Sequence, residues 1–191
     1  MDDRGFAALA ALQGRLQTLK LLPRTGWLQR GLRDVESVAE HSFGVAALAL
    51  IVGDLHEGLD RGKLLAIALV HDLAEALIGD LPASASRLLG KAAKHEAERK
   101  AMLELLGDLP QGDRYVELWE EYSGGTSAEA RLIKALDRLE LLGQALLYER
   151  AGARSLGEFW DAPREWAEEF PLIRALADEL DAEHRQLTHS R

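Results

Sequence analysis

Apolar residues recur at helical spacing along most of the chain, and no segment alternates with the two-residue period of a half-buried strand. The pattern predicts a series of helices over residues 6–22, 36–56, 61–78, 84–106, 113–122 and 126–150, followed by two helical segments bracketed by Pro163 and Pro171. Residues 24–35 contain two glycines and hold no period, so we expect an ordered loop there. These elements predict an all-α fold.

The third predicted helix is apolar on nearly every side, which is typical of a buried helix. Three ionisable residues nevertheless lie within it: His71, Asp72 and Glu75. Taking an unpaired carboxylate out of water costs on the order of several kcal/mol, so these groups need partners. Glu75 follows His71 by four residues and Asp72 by three, which places the three side chains on one face of the helix.

Two other predicted helices carry an ionisable residue where the apolar pattern indicates the core. His41 opens one apolar run, and Asp137 lies inside another. One divalent cation would satisfy two imidazoles and two carboxylates together, because the charges then cancel. Each residue alone has another explanation. A histidine can be a hydrogen-bonded core residue, Asp137 could pair with Arg138 or Arg131, and Asp72 could cap a neighbouring helix.

The composition of the 191-residue chain is that of an ordinary globular protein, with 47% hydrophobic and 29% charged residues. The length is that of a single domain, so we expect a core over about residues 6–150 with C-terminal helices, over about residues 158–187, packed on it. A net charge of −9 argues against a nucleic-acid polymer or an anionic membrane as a partner. The chain has no cysteine, signal-peptide pattern or membrane-length apolar run, which favours a soluble cytoplasmic protein.

The ordered set His41, His71-Asp72 and Asp137 resembles the H…HD…D signature of the HD-domain metal-dependent phosphohydrolases. Flanking segments narrow the resemblance to the 5′-deoxynucleotidase branch of that family. These segments are residues 23–27 (PRTGW), 36–42 (ESVAEHS), 71–75 (HDLAE), 79–82 (GDLP) and 134–140 (KALDRLE). The resemblance covers about residues 16–148 and extends more loosely into the final helices.

This resemblance implies a single-domain HD-type helical bundle in which His41, His71, Asp72 and Asp137 hold one divalent metal ion. The ion could be Mn, Co, Mg, Zn or Fe, since nitrogen and oxygen ligands accept all of these to different degrees. A dinuclear site would need further ligands, and inside the domain only His95 is available. We therefore expect a mononuclear site.

The resemblance also implies that Glu75 and Asp80 are catalytic carboxylates and that Arg24 and Trp27 shape the substrate pocket. The implied reaction removes the 5′-phosphate of a 2′-deoxyribonucleoside 5′-monophosphate by attack of a metal-activated water. Arg24 would bind the phosphate, Trp27 would exclude a ribose 2′-hydroxyl, and the two carboxylates would share the acid and base roles in an order that the sequence leaves open.

Two alternatives stay open at this point. The chain could act on another nucleotide, cyclic or pyrophosphorylated, or it could be a non-catalytic helical scaffold stabilised by a metal. His95 could contact phosphate or a second metal, although a solvated position on a charged helix face explains it equally well. The resemblance further implies a homodimer, for which four aromatic residues offer an interface unless they pack on their own domain: Phe159, Trp160, Trp166 and Phe170.

Overall fold

The computed structural model describes residues 2–189 of the chain as a layered assembly of helices. The helices are α1 (Asp3–Leu21), α2 (Thr25–Leu28), α3 (Val38–Gly53), α4 (Arg61–Val70), α5 (Glu75–Ile78), α6 (Ala83–Leu89), α7 (Lys91–Leu106), α8 (Gly112–Gly124), α9 (Ala128–Arg150), α10 (Gly157–Trp160) and α11 (Pro171–His189). A short 3-10 helix, Glu165–Ala167, lies between α10 and α11. The predicted all-α class is confirmed. None of the described helices is long and apolar enough to cross a bilayer.

Side-chain caps fix where two of the helices that carry predicted ligands begin. Ser37 and Glu40 form a capping box at the start of α3, because the Ser37 hydroxyl accepts from the Glu40 amide at 3.2 Å and the Glu40 carboxylate accepts from the Ser37 amide at 2.6 Å. The Ser127 hydroxyl caps α9 by accepting from the Ala130 amide at 3.2 Å. His41 lies about one turn inside α3, so the capping box sets its position relative to the neighbouring helices.

The single helix predicted from residue 61 to residue 78 is wrong, because α4 ends at Val70 and α5 begins at Glu75. The backbone between them tightens into a turn. The Leu73 amide bonds to the Val70 carbonyl and the Glu75 amide bonds to the Asp72 carbonyl, each three residues back. His71 and Asp72 therefore lie in a turn at the end of α4, and no glycine or proline in the sequence marks this break.

Gly90 divides the fourth predicted helix into α6 and α7. Its φ of +83° lies in the left-handed region, where a residue without Cβ is favoured. The segment predicted as a loop between α1 and α3 contains the one-turn helix α2, and an isolated antiparallel bridge joins Pro23 to Ser37 at its ends. Apart from that bridge, residues 2–189 contain no β-structure, as the sequence predicts.

Helix α9 contributes to two hydrophobic clusters. Its first half, including Ile133, packs in the larger cluster with buried residues of α3, α4, α7, α8 and α11. Its second half, including Leu142 and Leu146, packs in the smaller cluster with Trp27 and Trp160. The helix that carries Asp137 thus also packs against the segment that carries Trp27.

The aromatic residues near the C-terminus pack on their own chain. Trp160 and Phe170 are buried, and Phe159 and Trp166 are partly buried against the two clusters. They do not form the exposed aromatic face on which we based a dimer interface. The homodimer stays a prediction that depends on the family resemblance alone.

Gly112, at the start of α8, supports a specific stability prediction. A Cβ added there would lie 1.8 Å from the Leu106 carbonyl oxygen, so Gly112→Ala should lower the free energy of unfolding by about 1–3 kcal/mol. Gly143, inside α9, is the matched control because its Cβ would meet no heavy atom within 4 Å. Gly143→Ala should raise stability by roughly 0.5–1 kcal/mol. Denaturant unfolding measures both, and equal stabilities of the two variants would contradict this packing.

Candidate metal centre

The four predicted ligands converge from three places in the fold: α3, the turn after α4, and α9. Nε2 of His41 lies 3.2 Å from Oδ1 of Asp137 and 3.7 Å from Oδ2 of Asp72. Nε2 of His71 lies 3.3 Å from the same Asp72 oxygen. One ligand atom from each of His41, His71 and Asp137 falls within a group whose members are at most 4.8 Å apart. Asp72 lies beside this group through its contacts with the two imidazoles but is not one of its three members.

The two imidazoles are oriented by hydrogen bonds at their other ring nitrogen. Nδ1 of His41 donates to Oε2 of Glu140 at 2.6 Å, and Nδ1 of His71 donates to the Ala68 carbonyl oxygen at 2.7 Å. Both Nε2 atoms are buried and have no hydrogen-bond partner among the described residues. This is how proteins prepare histidine for a metal, since the second partner fixes the ring and leaves Nε2 as the donor atom.

The carboxylates around these rings are ionised. Burial opposes ionisation of Asp72, but His71 and then Arg24 outweigh it and hold the pKa of this carboxyl well below its usual range. Burial likewise opposes ionisation of Asp137, and contacts with His41 lower its pKa in the same way. Arg24 donates to Oδ2 of Asp72 at 3.0 Å, and the Tyr122 hydroxyl donates to Oδ2 of Asp137 at 3.0 Å.

The same carboxylates favour protonation of the imidazoles in the protein alone. Burial lowers the pKa of His41, but Asp137 and Glu140 outweigh this effect and raise it to about 10. The pKa of His71 is also raised, because Asp72 outweighs the cost of burying its charge. A cation at this centre would replace those protons, so its binding should release protons. The donor set therefore fits a divalent metal ion, with two imidazole nitrogens and two carboxylates.

Glu75 is the carboxyl group at this centre that favours its protonated form. Its side chain is at the start of α5, is only 8% exposed, and has one oxygen, Oε2, with no hydrogen-bond partner among the described residues. Burial, followed by the negative charges of Asp72 and Asp80, raises its pKa to about 10. Glu75 lies beside the predicted metal ligands, and its environment favours the protonated form that a general acid needs.

Asp80 connects the segment after α5 to the segment that carries Arg24 and Trp27. Its Oδ2 accepts from the Thr25 amide and from the Thr25 hydroxyl, the latter at 2.7 Å. Trp27 is 2% exposed, and its Nε1 donates to Oε1 of Glu36 at 2.8 Å. These hydrogen bonds fix the position of the backbone segment that carries Arg24 and Trp27.

A cleft of about 750 Å³ opens over the centre. Its lining includes every predicted site residue except His41, which is fully buried beneath it. Six carboxylates line the cleft: Asp72, Glu75, Asp80, Glu98, Asp137 and Glu165. Five cationic side chains also line it: Arg24, Arg30, Lys94, Lys134 and Arg138. A bound divalent cation would leave a positive excess, which suits an anionic substrate.

The family follows from these observations together with the sequence match. The family model described as HD domain matches residues 16–173. The chain belongs to the HD-domain family. Membership implies dependence on a divalent metal, in agreement with the donor set of this HD domain.

Similar proteins align with nearly the whole of this chain. The 5′-deoxynucleotidase HDDC2 of Bos taurus is 36% identical over 189 residues, which are 96% of this chain and 89% of that protein. The solved structure of a conserved hypothetical protein from Pyrococcus furiosus has a TM-score of 0.78 and 38% identity, covering 92% of this chain and 99% of the other. The structure of a "predicted metal-dependent phosphohydrolase" from Magnetospirillum magnetotacticum has a TM-score of 0.68 and 30% identity, covering 98% and 93%.

Sequence reasoning missed several residues of the cleft. Lys94, Lys134 and Arg138 line it, as do the aromatic side chains Phe159 and Trp166. A signal was present for two of the cations, because Lys134 precedes Asp137 by three residues and Arg138 follows it directly. The aromatic residues carried no such signal, since they reach the cleft only through the packing of the C-terminal segment.

His95 is not among the residues that line the cleft over the predicted metal ligands. Its Nδ1 is 2.9 Å from the Ser123 hydroxyl oxygen, its Nε2 is 3.3 Å from a Glu120 oxygen, and its ring stacks on Trp119. It lines a separate groove together with Arg99. These contacts satisfy both ring nitrogens with protein groups and do not direct either toward the centre.

The raised pKa of Glu75 predicts how stability changes with pH in the metal-free protein. A folded pKa of about 10, above the ordinary 4.5, means that the stability contributed by the protonated carboxyl is complete below about pH 4.5 and is lost as pH rises toward 10. A glutamine side chain resembles the protonated carboxyl group of Glu75 but does not ionise. Glu75→Gln should therefore become more stable than wild type as pH rises from about 5 to 8, by at most about 1.4 kcal/mol per pH unit.

Unfolding free energies measured in the presence of a chelator test this expectation. Glu96→Gln, at an exposed carboxylate of α7, is the control and should show no such widening. A difference between Glu75→Gln and wild type that stays constant across this pH range would contradict the assignment of a protonated Glu75.

Proposed function

We propose that this HD domain is a metal-dependent 5′-deoxynucleotidase, which removes the 5′-phosphate of 2′-deoxyribonucleoside 5′-monophosphates. The observation that carries the proposal is the pair of buried, unpartnered imidazole Nε2 atoms, those of His41 and His71, beside two ionised carboxylates at a cationic cleft. A relative that is 36% identical across most of both chains bears the name 5′-deoxynucleotidase, which supports the choice of substrate.

His41, His71, Asp72 and Asp137 are the proposed ligands of one divalent ion. When bound, such an ion supplies an acidic water as nucleophile and neutralises charge on the phosphoryl group. His95 has its own protein partners in a separate groove, which supports a mononuclear centre. Mn, Co, Mg, Zn and Fe are all compatible with this mixture of nitrogen and oxygen ligands.

Glu75 is the proposed general acid. Its buried carboxyl holds a proton at neutral pH and lies at the cleft, so it can protonate the departing 5′ oxygen. Asp80 is the second proposed catalytic carboxylate, and its bonds to Thr25 give it a further task. By holding Thr25 it also positions Arg24, which we propose binds the phosphate oxygens.

Trp27 is the proposed wall against the ribose 2′-hydroxyl. Its indole packs against Phe159, with ring centroids 4.6 Å apart, and against Tyr148, with centroids 5.2 Å apart. Its one polar atom donates to Glu36, so no donor of this ring is left for the sugar. A 2′-hydroxyl pressed against such a wall would lose its water without gaining a hydrogen bond, which disfavours ribonucleotides.

A substrate screen after metal removal and add-back tests the activity. Phosphate release should appear only with metal and should favour deoxynucleoside monophosphates over di-, tri- and cyclic phosphates.

Asp72→Ala should lose metal content and activity together, because it removes a ligand charge. Glu75→Gln should keep its metal and lose about 10²-fold or more in kcat. Normal metal in Asp72→Ala, or loss of metal in Glu75→Gln, would overturn the respective role.

Sugar selectivity is tested by the ratio of kcat/KM for matched deoxy and ribo substrates. An unpaired hydroxyl costs roughly 1–3 kcal/mol, so the wild-type ratio should lie between about 5 and 150. Trp27→Ala should bring the ratio toward one. Trp27→Phe, which keeps an aromatic wall in the buried position, is the control and should retain most of the selectivity. A large ratio that survives Trp27→Ala would assign the selectivity to another residue.

A further inference from the structure

Lys134 is a partly buried cation of the cleft that has no carboxylate partner. Its Nζ donates to the Ser123 carbonyl oxygen at 3.1 Å and lies 5.0 Å from the centre of the Tyr122 ring. No carboxylate oxygen in residues 2–189 lies within ion-pairing distance of it. Both of its contacts are with neutral groups, so the charge of Lys134 is not balanced locally.

The other cations of the cleft differ from Lys134 in this respect. Arg24 pairs with Asp72, Arg30 pairs with Glu158, and Lys94 pairs with Glu98 at 3.1 Å. Arg138 also has no ion-pair partner among the described residues, but its side chain is exposed and well solvated. Among the described residues that line the cleft, Lys134 is thus a partly buried cation with no carboxylate within ion-pairing distance.

Burial of an ammonium group that has no ion-pair partner is unfavourable. Burial lowers the pKa of Lys134 and outweighs the opposing charge of Asp137; Arg138 and Lys94 add to the lowering, and Glu98 opposes it. A bound anion would remove this cost because it supplies the missing counter-charge. The position is therefore better suited to a liganded cleft than to an empty one.

The location of Lys134 indicates which anion it meets. It precedes the proposed ligand Asp137 by three residues on α9, so the two side chains share one face of the helix, about one turn apart. The ring beneath its ammonium group belongs to Tyr122, whose hydroxyl donates to Asp137. An anion that reaches Lys134 thus lies next to the metal centre.

We propose that Lys134 binds the phosphate of the nucleotide, as a cationic contact from α9 that acts together with Arg24. This inference rests on the proposed function for the identity of the nucleotide. A phosphate monoester offers three terminal oxygens with nearly two negative charges at neutral pH, so it can accept from an ammonium group and a guanidinium group at the same time. Lys134 would balance charge that Arg24, already paired with Asp72, does not balance alone.

Direct binding of orthophosphate to the metal-loaded protein is the first arm of the test, measured by titration calorimetry. Lys134→Gln should weaken this binding by about tenfold or more, the loss expected for one charge-assisted hydrogen bond. Lys134→Arg should recover part of the affinity. Lys100→Gln removes an exposed cation of α7 that pairs with Glu96, so it is the matched control and should change nothing.

The second arm uses the substrate. It distinguishes a role of Lys134 in binding phosphate from a role in maintaining the structure. Lys134→Gln should raise KM for a deoxynucleoside monophosphate, keep its metal content, and leave binding of the unphosphorylated deoxynucleoside unchanged. Unchanged orthophosphate affinity in Lys134→Gln, or no orthophosphate binding by wild type, would overturn the proposal for Lys134. So would an equal loss of deoxynucleoside binding, which would indicate a structural role. Failure of wild type to hydrolyse any deoxynucleoside monophosphate would instead overturn the proposed function, since the orthophosphate arm does not depend on it.

Discussion

The Nε2 atoms of His41 and His71 are buried, face the carboxylates of Asp72 and Asp137, and have no hydrogen-bond partner in the described protein. A protein interior tolerates such groups only when something else satisfies them. The rest of this site holds the two imidazoles and the two carboxylates together in one place. The capping box of α3, the turn after α4 and the length of α9 each contribute one part of that arrangement.

Three of the proposed ligands are each held in place by a hydrogen bond with a second group. Glu140 fixes the His41 ring, the Ala68 carbonyl fixes the His71 ring, and the Tyr122 hydroxyl holds Asp137. Glu140 also limits the helix packing, because a Cβ at Gly44 would lie 2.7 Å from its carboxylate oxygen. The close approach of α3 to α9 and the orientation of His41 therefore depend on the same pair of positions.

The charges of the cleft explain how an acidic chain can accept an anionic substrate. The chain carries a net charge of −9, yet five cationic side chains line the cleft beside six carboxylates. Four of those carboxylates, Asp72, Glu75, Asp80 and Asp137, belong to the proposed metal and catalytic groups. Burial and the neighbouring carboxylates favour the protonated form of Glu75 in the metal-free protein, and Asp72 and Asp137 would share the charge of the cation. What remains near the substrate is a cationic surface, to which Arg24 and Lys134 contribute from different elements.

The sequence alone determined the fold class, and it predicted the four proposed ligands because ionisable residues at core positions depart from the apolar pattern. It also predicted a start of α9 at residue 126, two residues before Ala128, where the helix begins. It did not reveal the break after Val70, because no glycine or proline marks a turn whose backbone tightens around His71 and Asp72. It left open whether Phe159 and Trp166 form an interface or pack on their own domain. Only the packing of the C-terminal segment on the rest of the chain brings them to the cleft, and contacts between residues far apart in sequence leave no local pattern. The absence of a carboxylate partner for Lys134 among the described residues was likewise decided by tertiary structure, since the sequence does not show which side chains surround a lysine.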